Sequence, residues 1–302
     1  MSRKAWLWIV QAAAAIVVAV FLTRALARNW AEFRSLELRL EIHAGWLVLS
    51  VAAVLLAYAL QIASWRRVLA GWAQHIGFGT AARVWCIANL GRYVPGKVWG
   101  VAGLLVLAQR AGVAGWAAGA STVAVQALGI GTAVALVAAT TPGAASPLRL
   151  AAAAVAAVAT LGALAWPRAV ALLARAFQAA TPWRALPPRN ALEGAALTLA
   201  GWAAYGTAFW LLARGLGVAG SLGLPAAAGV FALGYILGLA ALFAPAGVVV
   251  REAAFVALLT PLIGSAGALT LSLASRVQLT LTEAVAALLA LAAERRLQGG
   301  RG

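Results

Sequence analysis

The sequence predicts an all-α polytopic membrane protein that forms a single domain over residues 1–302, with about six transmembrane helices and two broken hairpins. Hydrophobic residues make up 64% of the chain and charged residues only 10%, whereas soluble domains are about 45–50% apolar and about 25% charged. Several uncharged runs reach the roughly 20 residues with which a helix crosses the hydrocarbon core. Two further apolar regions are interrupted by proline, glycine and charge. These observations exclude an ordinary soluble enzyme, a disordered chain and a secreted disulfide scaffold.

The uncharged runs position the spans. They are expected at about residues 5–25, 44–65, 113–140, 149–166, 191–213 and 264–293. The first run imitates a secretory signal peptide, because Arg3 and Lys4 precede it and small residues follow it. Its apolar core is longer than the usual 7–15 residues of such a peptide, so we expect an uncleaved span.

The first broken hairpin is expected at about residues 80–110 and turns at Pro95 and Gly96. Its uncharged arms, 84–91 and 98–109, are too short to span, because 12 helical residues cover only about 18 Å. Proline removes a backbone donor and glycine releases φ, so this dipeptide forces a turn. The region is therefore predicted to be a re-entrant hairpin that enters from the cytoplasm.

The second broken hairpin is expected at about residues 225–262, with its break at Pro245 and Gly247. Five spans precede it, so it enters from the face opposite to the first hairpin. Two oppositely oriented broken hairpins indicate an inverted repeat, in which a transporter binds its substrate near the midplane. The stretch 225–244 is also long enough to cross the membrane, and the sequence leaves open whether this hairpin is re-entrant or fully spanning.

Positive charge gives the orientation. The chain has 23 Lys+Arg against 7 Asp+Glu. With the N-terminus in the cytoplasm, 13 basic residues flank the spans inside and 6 flank them outside, which obeys the positive-inside rule. We therefore expect a multi-pass protein of the cytoplasmic (inner) membrane with both termini in the cytoplasm. Nucleic acid is excluded as a partner, because no soluble domain carries a basic patch. The basic segment 167–190 is expected to lie against anionic headgroups.

Six charged residues remain inside apolar sequence. They are Arg92, Lys97, Arg251, Arg276, Glu252 and Glu283. Charges at this depth are costly and usually functional. The two carboxylates can pair with two of the cations, and the surplus cations call for an anionic partner such as a lipid phosphate. We therefore expect the four basic residues to bind a lipid headgroup and the two glutamates to serve as charge partners.

A structural reading of the same charges stays open. Glu252 and Arg276, or Arg251 and Glu283, can form salt bridges that only stabilise the fold, and the cations of a shallow first hairpin can snorkel to the interface. Ser272, Arg276, Thr280 and Glu283 recur at helical spacing on the last span, so they share one face that is expected to look into the bundle.

Motifs for catalysis, metal binding and cofactor binding are missing from the sequence. No GxSxG, GxxxxGK[ST] or HExxH pattern occurs, and His43 and His75 are too far apart to form a recognisable metal motif. We expect no catalytic residue, no metal ligand and no cofactor.

Two motifs resemble the transmembrane region of the lysylphosphatidylglycerol synthase family, also called flippase-like membrane proteins. The first is Asn89-Leu-Gly-Arg-Tyr-Val-Pro-Gly-Lys-Val-Trp99, and the second is Pro245-Ala-Gly-Val-Val-Val-Arg-Glu252. Ala246 and Val249 stand where the family usually has glycine. The resemblance covers nearly the whole chain and implies a lipid translocase module. It does not imply lipid synthesis, because that activity belongs to a soluble domain of the bifunctional members.

Three hypotheses about function follow. The leading one is a flippase-like transporter that moves an anionic lipid or a lipid-linked intermediate, such as a polyprenyl-linked lipid or a glycolipid, between leaflets. The second is a membrane-embedded enzyme that modifies lipids, for which Glu252 and Glu283 are the only intramembrane carboxylates. The third is a non-transporting scaffold for a glycosyltransferase or synthase. A lipid synthase or glycosyltransferase is also a candidate partner of the transporter.

Overall fold

A computed structural model describes residues 41–93, 98–140, 147–177, 179, 182–240 and 250–299. The predicted first span, Lys97 and the four predicted break residues (Pro95, Gly96, Pro245 and Gly247) lie outside these ranges. The backbone of Arg92 is described, but its side chain is not. Within these ranges the chain forms helices, turns and connecting segments, and no strand.

The helices are numbered here in chain order. They are α1 Ala44–Gly71, α2 Phe78–Asn89, α3 Val98–Arg110, α4 Gly115–Thr140, α5 Pro147–Ala165, α6 Pro167–Ala176, α7 Pro188–Gly215, α8 Leu224–Ala240 and α9 Val250–Gly299. A 3-10 turn, Leu90–Tyr93, follows α2.

Hydrogen bonds between distant segments define two ends of the bundle. At the first, which we call the Gly215 end, the His43 amide donates to the Gly215 carbonyl (2.9 Å), and the Ser221 hydroxyl donates to the Leu262 carbonyl (2.8 Å). At the second, the Leu186 end, the Leu186 amide donates to the Leu164 carbonyl (2.8 Å). The long helices therefore run between two levels at which their ends meet.

Four of the described helices are long and apolar enough to cross a membrane: α1, α4, α7 and, within 250–292, α9, whose direction reverses at Gly264. A fifth span results if α5 and α6 are counted as one bent span. The helices α1, α4 and α7 cover the spans predicted at 44–65, 113–140 and 191–213. Helix α1 continues to Gly71, beyond Arg66 and Arg67, because charge ends an apolar run without ending the hydrogen bonding of the backbone.

Packing between α1 and α7 is the most extensive helix–helix contact of the described chain. Small and hydroxylated residues make it close: the Ser64 hydroxyl donates to the Gly194 carbonyl (2.9 Å) and lies 2.8 Å from Oγ1 of Thr198. Small residues let membrane helices approach, and hydroxyl bonds between helices replace the hydration that hydrocarbon cannot supply. The polar side chains of this pair therefore face inward.

The outer surface of α9 is apolar, as expected where lipid is the solvent. Val277, Leu281, Val285 and Leu288 recur at helical spacing and are 46–64% exposed. On the opposite side, Ser272 and Glu283 are 1% and 6% exposed. The polar face thus looks into the bundle, in agreement with the spacing on the last span.

The first hairpin has both of its open ends at the Leu186 end. Helices α2 and α3 contain only 12 and 13 residues, and the amide of Ala114, which follows α3, donates to the Gln74 side chain, which precedes α2 (2.9 Å). The arms converge at their tip, where a Cβ added to Gly91 would lie 2.6 Å from the backbone of Gly100. At about 1.5 Å per residue the arms are about 18–20 Å long, too short to cross the hydrocarbon core.

Helix α9 reverses its direction at Gly264. The backbone there has φ 73° and ψ 163°, a conformation that is essentially restricted to glycine. The two parts, 250–263 and 265–299, therefore lie side by side, as the contact between Glu252 and Arg276 described below requires. The second predicted hairpin, at 225–262, therefore corresponds to α8 and to the part of α9 before Gly264. The rest of α9 then runs in the opposite direction beside that part.

Helix α6 turns sharply from α5. The two helices meet at an angle of 81°, with Pro167 as the first residue of α6. Proline is favoured at this position, because its missing amide would have no partner in the first turn of a helix. The sequence predicts a span at 149–166, which α5 covers, and a basic segment after it, which begins with α6.

Candidate functional site

Glu252 and Arg276 form an ion pair across the reversal in α9. Their side chains meet at 3.2 Å between Oε1 and Nη1, and are 20% and 12% exposed. Glu252 precedes Gly264 by 12 residues and Arg276 follows it by 12, so the reversal brings them to the same level. The salt bridge between Glu252 and Arg276, one of the two that the sequence predicts, is therefore present.

Arg251 lies beside this pair, between two aromatic rings. Its guanidinium carbon is 5.1 Å from the ring centre of Phe231 on α8 and 5.0 Å from that of Phe255 on α9. Its Nε and Nη2 atoms are buried. A phenyl ring attracts a cation through its negative face without carrying a formal charge, so this arrangement holds the guanidinium in place at the break between α8 and α9.

The three charged side chains lie deep in the bundle. At about 1.5 Å per residue, 12 residues place them about 18 Å along the helix from Gly264 at the Gly215 end. A hydrocarbon core of about 30 Å that begins near Gly264 would put them slightly beyond its midplane. This is the depth at which transporters with broken helices bind their substrates.

Glu283 lies farther along α9 and faces the first hairpin. It lines a small crevice together with Tyr58 of α1 and with Cys86 and Asn89 of α2. Seven residues separate it from Arg276, which corresponds to about 10 Å along the helix. The second part of α9 thus carries a continuous polar face from the second hairpin to the first.

The structure accordingly brings some of the predicted residues together. Arg251, Glu252 and Arg276 form one cluster, and Glu283 faces α2 at the next level. Arg92 belongs to the 3-10 turn at the tip of the first hairpin, which contacts α9. The binding of a headgroup by these residues and by Lys97 stays a prediction.

Sequence reasoning missed the aromatic neighbours of Arg251 and the crevice at Glu283. Phe255 is four residues after Arg251, a spacing that pairs side chains on a helix and would have indicated one of the two rings. Phe231 and Tyr58 come from other helices, and their approach depends on the tertiary packing of α8 and α1. No local pattern marks such a contact.

The described ranges contain no cluster of three or more His, Cys, Asp or Glu side chains that would hold a metal ion.

Comparison with known proteins places this arrangement in context. The family model described as lysylphosphatidylglycerol synthase TM region matches residues 8–287 of the chain. The search of curated proteins found no match to the chain.

Proposed function

The chain belongs to the lysylphosphatidylglycerol synthase TM-region family, membrane domains related to lipid handling, and we propose that it moves an anionic lipid or a lipid-linked intermediate between leaflets. The match over residues 8–287 agrees with the resemblance carried by the two motifs at 89–99 and 245–252. The apolar helices make the chain a multi-pass membrane protein.

One observation supports the proposal above all others: Arg251 and the Glu252–Arg276 pair lie together deep in the bundle, at a break between helices. Buried guanidinium groups are retained at such depth where they serve a substrate or a charge partner. Arginine binds phosphate through two parallel hydrogen bonds. A lipid phosphate is therefore the ligand that this cluster suits best.

In the proposed mechanism the headgroup enters the bundle while the acyl chains stay in the surrounding lipid. Arg251, held between Phe231 and Phe255, binds the phosphate, and Arg276 exchanges Glu252 for the phosphate as its partner. Glu252 keeps Arg276 neutralised when no lipid is bound, which lowers the cost of an empty site. The headgroup then passes to Arg92 and Lys97 of the first hairpin, the other two cations that the sequence predicts for this site.

We propose transport rather than lipid chemistry, with membrane lipids as the partners. The lipid is one with an anionic headgroup, for which a polyprenyl-linked lipid and a glycolipid are candidates, and a lipid synthase or glycosyltransferase supplies it. The proposed location is the cytoplasmic membrane, with both termini in the cytoplasm.

A leaflet-exchange assay tests this proposal. The purified chain is reconstituted into liposomes that contain fluorescent phosphatidylglycerol, fluorescent polyprenyl phosphate or fluorescent phosphatidylcholine, and dithionite reports how much label reaches the outer leaflet. We expect faster exchange of at least one anionic lipid than in empty liposomes, and loss of this exchange in Arg251→Ala and in Lys97→Ala.

The matched control is Arg214→Gln, which removes an arginine that also lies over aromatic rings, Trp46 at 5.4 Å and Trp210 at 5.3 Å, but at the Gly215 end. It should exchange lipid at the rate of the unmodified chain. Unchanged exchange in both Arg251→Ala and Lys97→Ala would refute the site. Exchange no faster than in empty liposomes for every anionic lipid would refute the function.

A further inference from the structure

A second crevice lies at the Leu186 end, away from the charges of α9. It is a shallow apolar groove lined by Trp72, by Ala124 of α4, by Leu164 of α5 and by Val170 and Leu173 of α6. Leu164 and Val170 are buried, whereas Leu173 is half-buried. Such a groove offers an apolar surface along which part of an acyl chain can lie while the rest stays in the bilayer.

A cation lines the same crevice. Arg184 is exposed, belongs to the crevice lining and is held over the ring of Trp116, with its guanidinium carbon 5.2 Å from the ring centre. Trp183 also lines the crevice and stacks on Phe177 at 5.9 Å. An apolar crevice with a guanidinium at its surface matches a phospholipid: the crevice contacts the acyl chain, and the guanidinium binds the phosphate.

Helix α6, which covers the crevice, has the character of a helix in the membrane interface. It turns 81° away from α5 and buries Val170 and Ala174. On its other side Arg168 and Arg175 are exposed, and so is Leu172, at 63%. Amphipathic helices of this kind lie in the headgroup region and attract anionic lipids through their basic residues.

Acidic residues are almost absent from this part of the sequence. Between Ile42 and Glu252 the chain contains a single one, Glu193. The structure pairs Glu193 with Arg189 (2.9 Å) and Arg67 (3.6 Å). The field at the crevice is therefore positive, which favours an anionic lipid over a zwitterionic one.

We propose that this crevice, which we call the α6 crevice, is a binding site for one anionic phospholipid. An acyl chain lies along the groove against the half-buried Leu173 and Trp183, and the phosphate binds Arg184. The bound lipid thereby helps to hold α6 against α4 and α5. The site is separate from the proposed transport site, and its occupancy does not depend on transport.

Native mass spectrometry tests the proposal, with phosphatidylglycerol and phosphatidylcholine added in turn to the purified chain. The measurements are made in the Arg251→Gln background, so that the transport site makes little contribution. Phosphatidylglycerol should be retained in preference to phosphatidylcholine, and Arg184→Gln should weaken its retention about fivefold, the effect of about 1 kcal/mol per basic residue. The matched control, Arg214→Gln, should retain it fully.

Equal retention of phosphatidylglycerol with and without Arg184→Gln would overturn the proposal, and so would equal loss in Arg214→Gln. If Arg184→Gln does not fold, the same retention is measured for Arg184→Lys and for the chain with Arg184 unchanged. If neither retains phosphatidylglycerol in preference to phosphatidylcholine, the proposal is overturned. Leaflet exchange measured in parallel separates the two proposals, because Arg184→Gln leaves the proposed transport residues in place.

Discussion

Arg251, Glu252 and Arg276 show how a small charge cluster is stabilised inside the bundle. Glu252 and Arg276 meet at 3.2 Å, and the Arg251 guanidinium carbon lies 5.1 Å and 5.0 Å from the ring centres of Phe231 and Phe255. An ion pair offsets the cost of burying its two charges. The two rings position the Arg251 guanidinium through their negative faces.

The ion pair can be measured with a double-mutant cycle. Glu252→Gln and Arg276→Gln each leave the opposite charge at the same buried level without its 3.2 Å partner. We expect each variant to lower the free energy of unfolding by about 3 kcal/mol, at the lower end for buried pairs because the side chains are 12–20% exposed. Unfolding by SDS titration in mixed micelles provides the measurement.

The double variant Glu252→Gln/Arg276→Gln should cost less than the sum of the two single ones, by about 1–3 kcal/mol. The exchanged pair Glu252→Arg/Arg276→Glu should recover part of the loss. Additive single effects would show that the two side chains do not stabilise each other.

Single residues also show where sequence reasoning succeeded. The sequence predicts a salt bridge of Glu252 with Arg276 or one of Arg251 with Glu283. The first is present, because the reversal at Gly264 brings Glu252 and Arg276 to the same level. The ring of Phe231, 20 residues before Arg251, could not be predicted. Its position is set by the packing of α8 on α9, which no local pattern encodes.

At the scale of elements, uncharged length predicted the long helices well, because hydrocarbon excludes charge and unpaired backbone groups. The ends of the helices were less predictable. Helix α1 extends to Gly71 because Val68 and Leu69 are buried and Arg66 donates to the Ile76 carbonyl (2.9 Å). The bend between α5 and α6 was not predicted as such.

Gly264 is the element-scale feature with the clearest test. A Cβ added there would meet nothing within 4 Å, so Gly264→Ala introduces no clash and acts only through its backbone, which has φ 73°. We expect the substitution to lower the free energy of unfolding by about 1–3 kcal/mol, the cost of an L-residue in this conformation. SDS titration measures it.

The matched control is Gly162→Ala in α5, where an added Cβ also meets nothing within 4 Å and the backbone is helical. That variant should be unchanged or slightly more stable, since alanine favours helices by up to about 1 kcal/mol over glycine. If Gly264→Ala is as stable as Gly162→Ala, the reversal does not require glycine.

At the scale of the whole molecule, the arginines divide unequally between the two ends. Among the described side chains, eight arginines lie at or near the Leu186 end and one at the Gly215 end. The eight are Arg66, Arg67, Arg83, Arg110, Arg168, Arg175, Arg184 and Arg189, and the one is Arg214. The sequence predicts more basic residues on one side of the spans than on the other, and the described arginines are distributed in the same way between the two ends of the bundle. By the positive-inside rule, we predict that the Leu186 end faces the cytoplasm.

Single cysteines test this orientation and the first hairpin together. The native Cys86 is replaced by serine, and cysteine is introduced at Ser221 of the Gly215 end or at Phe78, Gln109 or Arg175 of the Leu186 end. A membrane-impermeant maleimide should label the cysteine at position 221 in intact cells, and the other three only after permeabilisation, because α2 and α3 begin and end at the same level.

The pattern of labelling separates the two claims. If positions 78 and 109 react from opposite sides, α2 and α3 cross the membrane between them, and the first hairpin is not re-entrant. If all four positions react from the sides opposite to those expected, the hairpin stands and the orientation is reversed. The first hairpin then enters from the outside.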